Sequence, residues 1–441
     1  MMSSDERQEM LEKLGLDSIE RLFSDIPSVF RTDGLKLPKG MAEIDVVSRV
    51  RSLLGRNTDA SKLKCFLGSG IYDVFIPSIV GHVISRSELY TAYTPYQAEF
   101  SQGLLQLIFE YQSLMSELTH MDAVNASIYD GSSALGEAAT MCRRIREGGT
   151  FVIPRALAPW KKSTLQNYLK GLAIRTVEYG FDEETGHSDF NEIVSMSRKD
   201  ACGVYVEMPG FLGLYEEEFL DLKSQIGDVP LVAGVNPASL ATVVPPGDYG
   251  ADIAVGEGQS LGLGMNMGGP LLGLFACRKE HVRKMPGRIV GATVDSDGRR
   301  AFCLTLQARE QHIRRSRATS NICTNETLMS IAASVYLSAL GSEGLGDVAH
   351  RTEAMRALAV GRLNGERFRV LFDGPGYNEF TMVTREKPEI VFERAVEHGI
   401  LGGLPVNGFL PELGNASVWS VNERMVPEDL DNLSEVLEEI A

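Results

Sequence analysis

The chain has 441 residues, which is too long for one hydrophobic core, so at least two packed domains are expected. Hydrophobic residues make up 44% of the chain and charged residues 23%, which excludes a disordered or fibrous protein. The 59 acidic and 43 basic residues give a net charge of −16, which repels phosphate backbones and disfavours nucleic-acid binding.

The six cysteines are far apart, and none belongs to a C-x-x-C pair or a His/Cys cluster with metal-ligand spacing. We expect reduced thiols and no metal site. The start of the chain is charged and has no apolar signal core, and no stretch approaches the roughly 20 apolar residues of a membrane span. The sequence therefore predicts a cytoplasmic protein that does not enter a membrane.

Residues 1–60 show a polar helical pattern that breaks at Pro27 and Pro38. This pattern predicts two or three short helices that form an N-terminal helical arm. An arm of this kind usually packs on a neighbour.

The next region combines helical and strand patterns. Apolar residues recur every three or four positions between 101 and 118, which predicts a long amphipathic core helix. From about 123 to 278, short β-branched apolar runs alternate with helical stretches. Strands that alternate with helices favour right-handed crossovers and a mostly parallel sheet. Residues 61–325 are therefore predicted to form a large α/β domain.

Residues 326–441 are predicted to form a small C-terminal α+β domain. Two helices, over 327–340 and about 345–363, begin it. The elements predicted after them are strands at 368–372, 379–383 and 417–421, a helix near 390–397 and a last helix opened by Pro427.

The glycine-rich segment 256–270 could bring backbone amides close to a phosphate. It lacks the lysine of a P-loop and the spacing G-x-G-x-x-G, and a predicted strand follows it where a dinucleotide fold has a helix. A flexible or tightly packed loop is the favoured interpretation.

Residues 130–133 have the sequence Asp-Gly-Ser-Ser and lie where a predicted strand ends and a helix begins. Aspartate and serine are common cap residues, and free amides at a helix N-terminus favour an anion. Ordinary capping is the favoured interpretation, and a phosphate cup, used or vestigial, is the alternative.

Two further segments carry side chains that could form a site. Residues 91–100 (TAYTPYQAEF) place two tyrosines around a proline, which fixes the backbone and suits either a structured turn or a pocket wall. In residues 309–325, Arg309, His312 and Arg315 or Arg317 recur at helical spacing. Such a basic helix face could clamp a carboxylate or phosphate, although a solvated or interface-paired face is more common.

Four segments together resemble the glycine cleavage system P-protein family, in the form that is a separate α subunit, subunit 1. They are residues 15–27 (GLDSIERLFSDIP), 68–138 (beginning GSGIYDVF), 256–262 (GEGQSLG) and 309–325 (REQHIRRSRATSNICTN). Nearly the whole chain fits this resemblance. It implies the fold type I architecture of pyridoxal-phosphate (PLP) enzymes, which agrees with an α/β domain followed by a small α+β domain.

The chemistry of that family needs a lysine that forms a Schiff base with PLP and an acid that keeps the pyridine nitrogen protonated. In PLP-bearing chains of this fold the lysine follows a late strand of the large domain, where this chain has Ser260. Ala233 lies near the position expected for the acid. We therefore expect this chain to bind no PLP.

The resemblance implies the non-PLP α subunit of a heteromeric glycine decarboxylase, an aminomethyl-transferring glycine dehydrogenase. A homologous β subunit would carry PLP, in αβ pairs or a heterotetramer of two pairs. The complex would decarboxylate glycine and transfer the aminomethyl group to the lipoyl arm of H-protein. The alternatives are an inactive structural or regulatory homologue and an autonomous PLP enzyme with a displaced lysine.

Active sites of this fold lie at the subunit interface, so the chain can contribute walls even without PLP. The residues expected to line the glycine or lipoyl channel are Tyr93, Pro95, Tyr96 and Gln97. Further candidates, for interface structure, are Arg309, His312, Arg314 and Asn321.

Overall fold

The computed structural model describes residues 3–32, 34–90 and 93–441. Its contacts divide the chain into two compact units, Met1–Asp59 and Ala60–Ala441. In the first unit, α1 spans Ser4–Lys13 and α2 spans Glu43–Leu54. Ser3 begins α1 with a capping box, in which its hydroxyl accepts the Glu6 amide and the Glu6 carboxylate accepts the Ser3 amide.

The second unit combines strands and helices in alternation. Its strands are β1 (Lys64–Cys65), β2 (Ala123–Val124), β3 (Thr150–Pro154), β4 (Arg175–Tyr179), β5 (Ala201–Met208), β6 (Leu231–Val235), β7 (Ile253–Glu257), β8 (Gly273–Cys277), β9 (Ile289–Val294), β10 (Arg300–Thr305), β11 (Phe368–Val370), β12 (Glu379–Thr384), β13 (Ile400–Leu401), β14 (Leu404–Pro405) and β15 (Ala416–Ser420). Its helices are α3 (Ser78–Ile84), α4 (Gln102–Thr119), α5 (Gly131–Ile145), α6 (Pro159–Leu169), α7 (Phe190–Ser197), α8 (Phe219–Ile226), α9 (Gln311–Arg314), α10 (Thr327–Arg362), α11 (Pro388–Glu397) and α12 (Pro427–Ile440).

The main sheet has the strand order β2-β8-β7-β6-β5-β3-β4. Strands β3 to β7 are parallel, whereas β8 runs antiparallel to β7 and β2 antiparallel to β8. Successive side chains of β7 alternate between two cores: Ile253 and Val255 pack with α5, and Ala254 packs with α4 and α10. Helices therefore cover both faces, which confirms the predicted α/β fold with a mostly parallel sheet.

A second, antiparallel sheet has the order β11-β12-β15-β14. Its core side chains, among them Phe380 and Trp419, pack against α11, α12 and the end of α10. A segment near the start of the second unit also contacts this sheet, because Leu67 forms an isolated β-bridge with Trp419 of β15. Both sheets belong to the unit 60–441, and the predicted boundary between residues 325 and 326 stays a prediction.

Most elements of the main sheet lie where the sequence predicts them, and the differences have local causes. The helices predicted at 327–340 and 345–363 form one element, α10, which is interrupted at Gly341 with φ +63°. The first apolar run of the alternating region, at 124–129, is predicted as a strand, but β2 ends at Val124 and only Ile128 bridges to Gly273. The hairpin β9–β10 was not predicted.

Helix α10 is the one helix of the described residues that is long and apolar enough to cross a membrane. Half of its most apolar window is buried inside the protein. Ala332, Ala333 and Tyr336 of this helix lie in one core cluster with Tyr111 and Met115 of α4. Its apolar face is therefore used in packing.

A glycine holds the loop after β5 close to the second sheet. Gly213 has φ +90°, and a Cβ at this position would overlap the carbonyl group of Glu379 and lie 2.9 Å from the amide nitrogen of Phe380. The fold therefore requires glycine here for two reasons, a left-handed backbone and a close approach of two main chains.

We expect Gly213→Ala to lower the free energy of unfolding by roughly 2–4 kcal/mol, because the backbone strain of an alanine at positive φ adds to the steric overlap with Glu379. The matched control is Gly298→Ala, at a glycine with φ +78° and nothing within 4 Å of the added Cβ, for which about 1 kcal/mol is expected. Urea unfolding measures both. Equal losses in the two variants would show that the overlap with β12 is not a constraint.

Candidate functional site

A cavity of about 410 Å³ lies at the carboxyl-terminal ends of β5, β6 and β7. The segment 67–72, the first residues of α5 and α6, residues 209–211 and Glu379 of β12 complete its wall. In open α/β sheets, ligands bind outside the carboxyl ends of parallel strands. This cavity is therefore the first place to look for a functional site.

The N-terminus of α5 opens into this cavity, and two carboxylates occupy its amides. Asp130 is the N-cap residue, and its Oδ1 accepts the Ser133 amide at 2.6 Å. The Glu257 carboxylate accepts the Gly131 amide through Oε2 at 2.9 Å. The helix terminus is thus capped by side chains of the chain itself, as the capping interpretation predicts.

Glu257 binds three backbone amides in all. Its Oε1 accepts the amides of Gln259 at 3.1 Å and Leu272 at 3.0 Å. Burial raises the pKa of Glu257 to about 7, although these backbone donors act in the opposite direction. The glycine-rich segment beyond it is packed over residues 258–263, where Gly262, with φ +79°, lies against the ring of Tyr336. Residues 266–268 of the same segment are exposed.

One lysine lies in the cavity wall, and the sequence motifs gave no sign of it. Lys161 of α6 donates from Nζ to Oε1 of the buried Glu207 at 2.6 Å. The Tyr205 hydroxyl donates to the same oxygen at 2.6 Å. Burial lowers the pKa of Lys161, but Glu207, with Glu379 and Glu257, acts in the opposite direction, and the net pKa is raised. Lys161 is therefore held as an ammonium, which is not a nucleophile.

The two positions expected for cofactor groups hold other chemistry. Ser260 is buried and donates its hydroxyl to Oδ1 of Asn236 at 2.8 Å. Ala233 is fully buried in β6. Neither position offers an amine or an acid.

The residues present do not fit PLP. Two like unit charges about 4 Å apart repel by about 4 kcal/mol at an effective dielectric constant of about 20. A helix terminus stabilises an anion by at most about 2 kcal/mol, so a phosphate beside the Asp130 carboxylate would be repelled more strongly than it is attracted. The Gly131 amide is in addition already bound to Glu257. Together with Ser260 and Ala233, this leaves the cavity without a phosphate site, a Schiff-base lysine or a pyridine acid.

The segment of Tyr93, Pro95, Tyr96 and Gln97 lies outside the described wall of this cavity. Thr91 and Ala92, which belong to the same predicted segment, lie outside the described residues. Pro95 is buried, Gln97 is exposed, and the Tyr93 and Tyr96 side chains are 76% and 46% exposed. The proline thus anchors a turn that presents the other three side chains at the surface.

The structure brings this segment together with the other predicted one, residues 309–325. The Tyr93 hydroxyl hydrogen-bonds with the Thr324 hydroxyl. The Tyr96 hydroxyl donates to Oε2 of Glu310 at 3.4 Å, and its ring lies edge-on to that of His312 with centroids 5.7 Å apart. The two segments therefore form one surface, which we call the tyrosine surface and define by residues 93–97 and 309–325.

Arg288, which the sequence analysis missed, holds the tyrosine surface in place. It is 6% exposed, and its guanidinium lies over the Tyr96 ring at 5.4 Å from the centroid. It donates to the Tyr96 hydroxyl at 3.1 Å and to Oδ1 of Asn325 at 3.3 Å. Arg288 belongs to no motif and follows β8 by eleven residues, so no sequence pattern could have identified it.

The prediction of a basic helix face from Arg309 to Arg317 is wrong. Only Gln311–Arg314 forms an α-helix, because Leu306 and Arg315 have φ angles of +54° and +52°, which no α-helix can contain. Arg309 instead donates to the carbonyls of Met285, Leu306 and Gly287.

The other residues predicted in this segment lie at the surface. His312 contacts Glu310, with Nδ1 3.5 Å from Oε2. Arg314 is exposed and donates to the Ala308 carbonyl at 3.0 Å, and Asn321 is exposed. Arg309 therefore supports a loop, whereas His312, Arg314 and Asn321 face outward on the tyrosine surface.

The fold and the cavity define a chain with the type I architecture of PLP enzymes, in which Ser260 and Ala233 stand at the positions expected for the lysine and the acid. A solved glycine decarboxylase (P-protein) of the glycine cleavage system, in inhibitor-bound form, superposes with a TM-score of 0.89 at 36% identity over 100% of this chain and 99% of that one. Sphingosine-1-phosphate lyase of Burkholderia pseudomallei (TM-score 0.64, 13% identity, 94% of both chains) and glutamate decarboxylase of Lactobacillus brevis (0.67, 12%, 95% of this chain and 98% of that one) share the fold alone.

Sequence comparison identifies the family. The profile described as glycine cleavage system P-protein matches residues 1–437. Similar curated sequences include the probable glycine dehydrogenase (decarboxylating) subunit 1 of Carboxydothermus hydrogenoformans, 46% identical over 437 residues (98% of this chain, 97% of the relative), and that of Pyrococcus abyssi, 42% identical over 451 residues (99% and 98%). The chain belongs to the glycine cleavage system P-protein family, and the predicted subunit 1 form is confirmed.

A buried carboxyl group between the two sheets makes the stability of the chain depend on pH. Oε1 of Glu379 accepts the Tyr72 hydroxyl at 3.0 Å and the Ser69 amide. Burial raises the pKa of Glu379 to about 7, although the two hydrogen-bond donors and the nearby Lys161 ammonium lower it. Because the folded state holds this proton more tightly than the unfolded chain does, the stabilisation is full below about pH 4.5 and is lost as pH rises through about 7.

We expect Glu379→Gln, which stays neutral, to have nearly the wild-type free energy of unfolding at pH 5 and to exceed it at pH 8 by up to about 3 kcal/mol. Urea unfolding at both pH values measures this difference, with the exposed Glu183→Gln as the control that changes neither value. A variant that is less stable than the wild type by the same amount at both pH values would show that Glu379 is ionised and stabilising.

Proposed function

We propose that this chain is the subunit of a heteromeric glycine decarboxylase that does not bind PLP, and that a homologous partner subunit carries PLP and its lysine. The observation that carries the proposal is the pair of carboxylates, Asp130 and Glu257, on the amides at the start of α5. Ser260 in place of a lysine agrees with it.

The names of the relatives support a two-subunit enzyme. They are subunit 1 of a decarboxylating glycine dehydrogenase, which implies a further subunit, and this chain covers almost their full length. With its partner, the proposed complex decarboxylates glycine and transfers the aminomethyl group to the lipoyl arm of H-protein. We infer αβ pairs or a heterotetramer of such pairs, working in the cytoplasm.

The tyrosine surface is the proposed contribution of this chain to the active site. Tyr93, Tyr96 and Gln97 are exposed, yet Arg288 and the buried Pro95 fix their positions. A surface that is both exposed and rigid suits a channel wall that a partner completes, because little side-chain entropy is lost on assembly. We propose that these residues line the path of glycine or of the lipoyl arm.

Other exposed parts of the chain suit interface roles in the same assembly. His312, Arg314 and Asn321 are exposed on the tyrosine surface, and Arg309 holds the loop in place through its hydrogen bond to the Gly287 carbonyl. Helix α2 of the N-terminal unit exposes apolar side chains, Ile44, Leu53 and Leu54 among them. We propose that residues 1–60 act as an arm that packs on the partner. We propose that the rest of the chain forms a large domain, residues 61–325, and a small domain, residues 326–441.

We expect this chain and a PLP-carrying homologue to co-purify in equal amounts when expressed together. The complex should exchange the carbon of bicarbonate with that of glycine, and neither chain alone should do so, because the two halves of the site lie on different subunits. Radiolabelled bicarbonate measures the exchange. Exchange by this chain alone, or a complex without any exchange, would contradict the proposal and favour an autonomous enzyme or a structural homologue.

In that complex we expect Tyr96→Phe to lower the exchange rate about tenfold, the cost of one hydrogen bond to a charged group. Tyr93→Phe should act in the same direction. The matched control is Tyr90→Phe, an exposed tyrosine whose hydroxyl donates to the Ile84 carbonyl within its own segment. Unchanged exchange rates in both tyrosine variants would contradict the proposal that Tyr93 and Tyr96 line the channel. They would not contradict the proposal that the chain is a subunit of the decarboxylase.

A further inference from the structure

The cavity at the carboxyl ends of β5 to β7 stays open although it does not fit PLP. Its volume of about 410 Å³ leaves room for on the order of ten non-hydrogen atoms, if each takes about the 30 Å³ of a liquid water. Four acidic side chains of its wall, Asp130, Glu207, Glu257 and Glu379, face one ammonium, that of Lys161. Burial raises the pKa of Glu257 and of Glu379 to about 7, so negative charge is disfavoured at both positions. A buried excess of negative charge is costly unless a cation relieves it.

Two of these carboxylates have an oxygen to spare. Glu207 accepts the Lys161 ammonium and the Tyr205 hydroxyl through Oε1, and no described residue donates to its Oε2. Glu379 likewise uses Oε1 for its hydrogen bonds from the described part of the chain and leaves Oε2 without one. By contrast, both oxygens of Glu257 are bound to backbone amides.

A separate observation also points to a missing partner. The Ser69 hydroxyl lines the cavity and is buried, yet it has no hydrogen-bond partner in the described structure. Buried hydroxyl groups are nearly always hydrogen-bonded, so this one indicates that a polar group belongs beside it. Ser69 is also the residue whose amide binds Oε1 of Glu379.

Much of the remaining wall is apolar and partly aromatic. Trp160, Phe211, Ile71 and Leu404 contribute to it. Aromatic faces attract organic ammonium ions, and apolar walls favour a ligand with a hydrocarbon part over a hydrated metal ion. Lys161 shows that an ammonium group on an alkyl chain is accommodated here, since its own ammonium is held by Glu207.

We propose that this cavity binds a small primary alkylammonium ion, which donates to the spare oxygens of Glu207 and Glu379 and lays its hydrocarbon part against Trp160 and Phe211. The excess of carboxylates rejects anions, and it disfavours a zwitterion because a second carboxylate would be repelled. This site belongs to the chain itself and does not depend on the partner subunit.

Isothermal titration calorimetry of the full chain tests the site with n-butylammonium, neutral butyramide, butyrate and magnesium chloride as probes. We expect saturable binding of one n-butylammonium per chain, and binding of butyramide and butyrate that is at least about tenfold weaker. Glu207→Gln and Glu379→Gln should each weaken n-butylammonium binding about tenfold, and the exposed Glu183→Gln should leave it unchanged.

A variant that fills the cavity without changing its charge guards against indirect effects. Leu404→Trp should abolish n-butylammonium binding, and thermal unfolding and circular dichroism confirm that each variant is folded. The proposal is overturned if n-butylammonium gives no saturable heat, if butyramide binds equally well, or if binding persists in the folded Leu404→Trp variant. Magnesium binding that Glu379→Gln abolishes would assign the carboxylates to a metal ion instead.

Discussion

The site depends on one carboxylate, that of Glu257, which binds the amides of Gly131, Gln259 and Leu272. Through these contacts a single side chain joins the end of β7, the start of α5 and the approach to β8. The bond to Gly131 also occupies an amide at the helix terminus that could otherwise bind a phosphate. The interaction that stabilises the fold at this point is therefore the one that makes it unsuitable for the cofactor of the fold.

The neighbouring polar groups follow the same pattern of internal pairing. Lys161 is neutralised by Glu207, and Ser260 is hydrogen-bonded to Asn236, so each group that could resemble a catalytic one has a structural partner. The residues that we propose the chain offers to a partner lie elsewhere, at Tyr93, which is hydrogen-bonded to Thr324, and Tyr96, which is held by the buried Arg288. Internally paired groups in the cavity wall and an exposed, fixed tyrosine surface agree with the proposal that this subunit completes the site of another chain.

The sequence predicted the parts of this structure that depend on local pattern. Periodicity located α4, which buries one regular face, and short apolar runs indicated strands such as β3, β5 and β6, which are buried at every residue. The helix expected from Arg309 failed because the periodicity of charged residues carries no information about the φ angles of Leu306 and Arg315. Lys161 and Glu379 were missed because folding brings them to the cavity from positions more than 200 residues apart, where no spacing rule applies.

The central claim is that this chain adopts the fold of a PLP enzyme without holding the cofactor, and borohydride trapping tests it most directly. The assembled complex is incubated with PLP, dialysed and reduced with borohydride, and the pyridoxyl-labelled peptides are identified by mass spectrometry. Our account predicts that the label lies on a lysine of the partner subunit and on none of this chain. A stoichiometric label on Lys161, or on any other lysine of this chain, would contradict it.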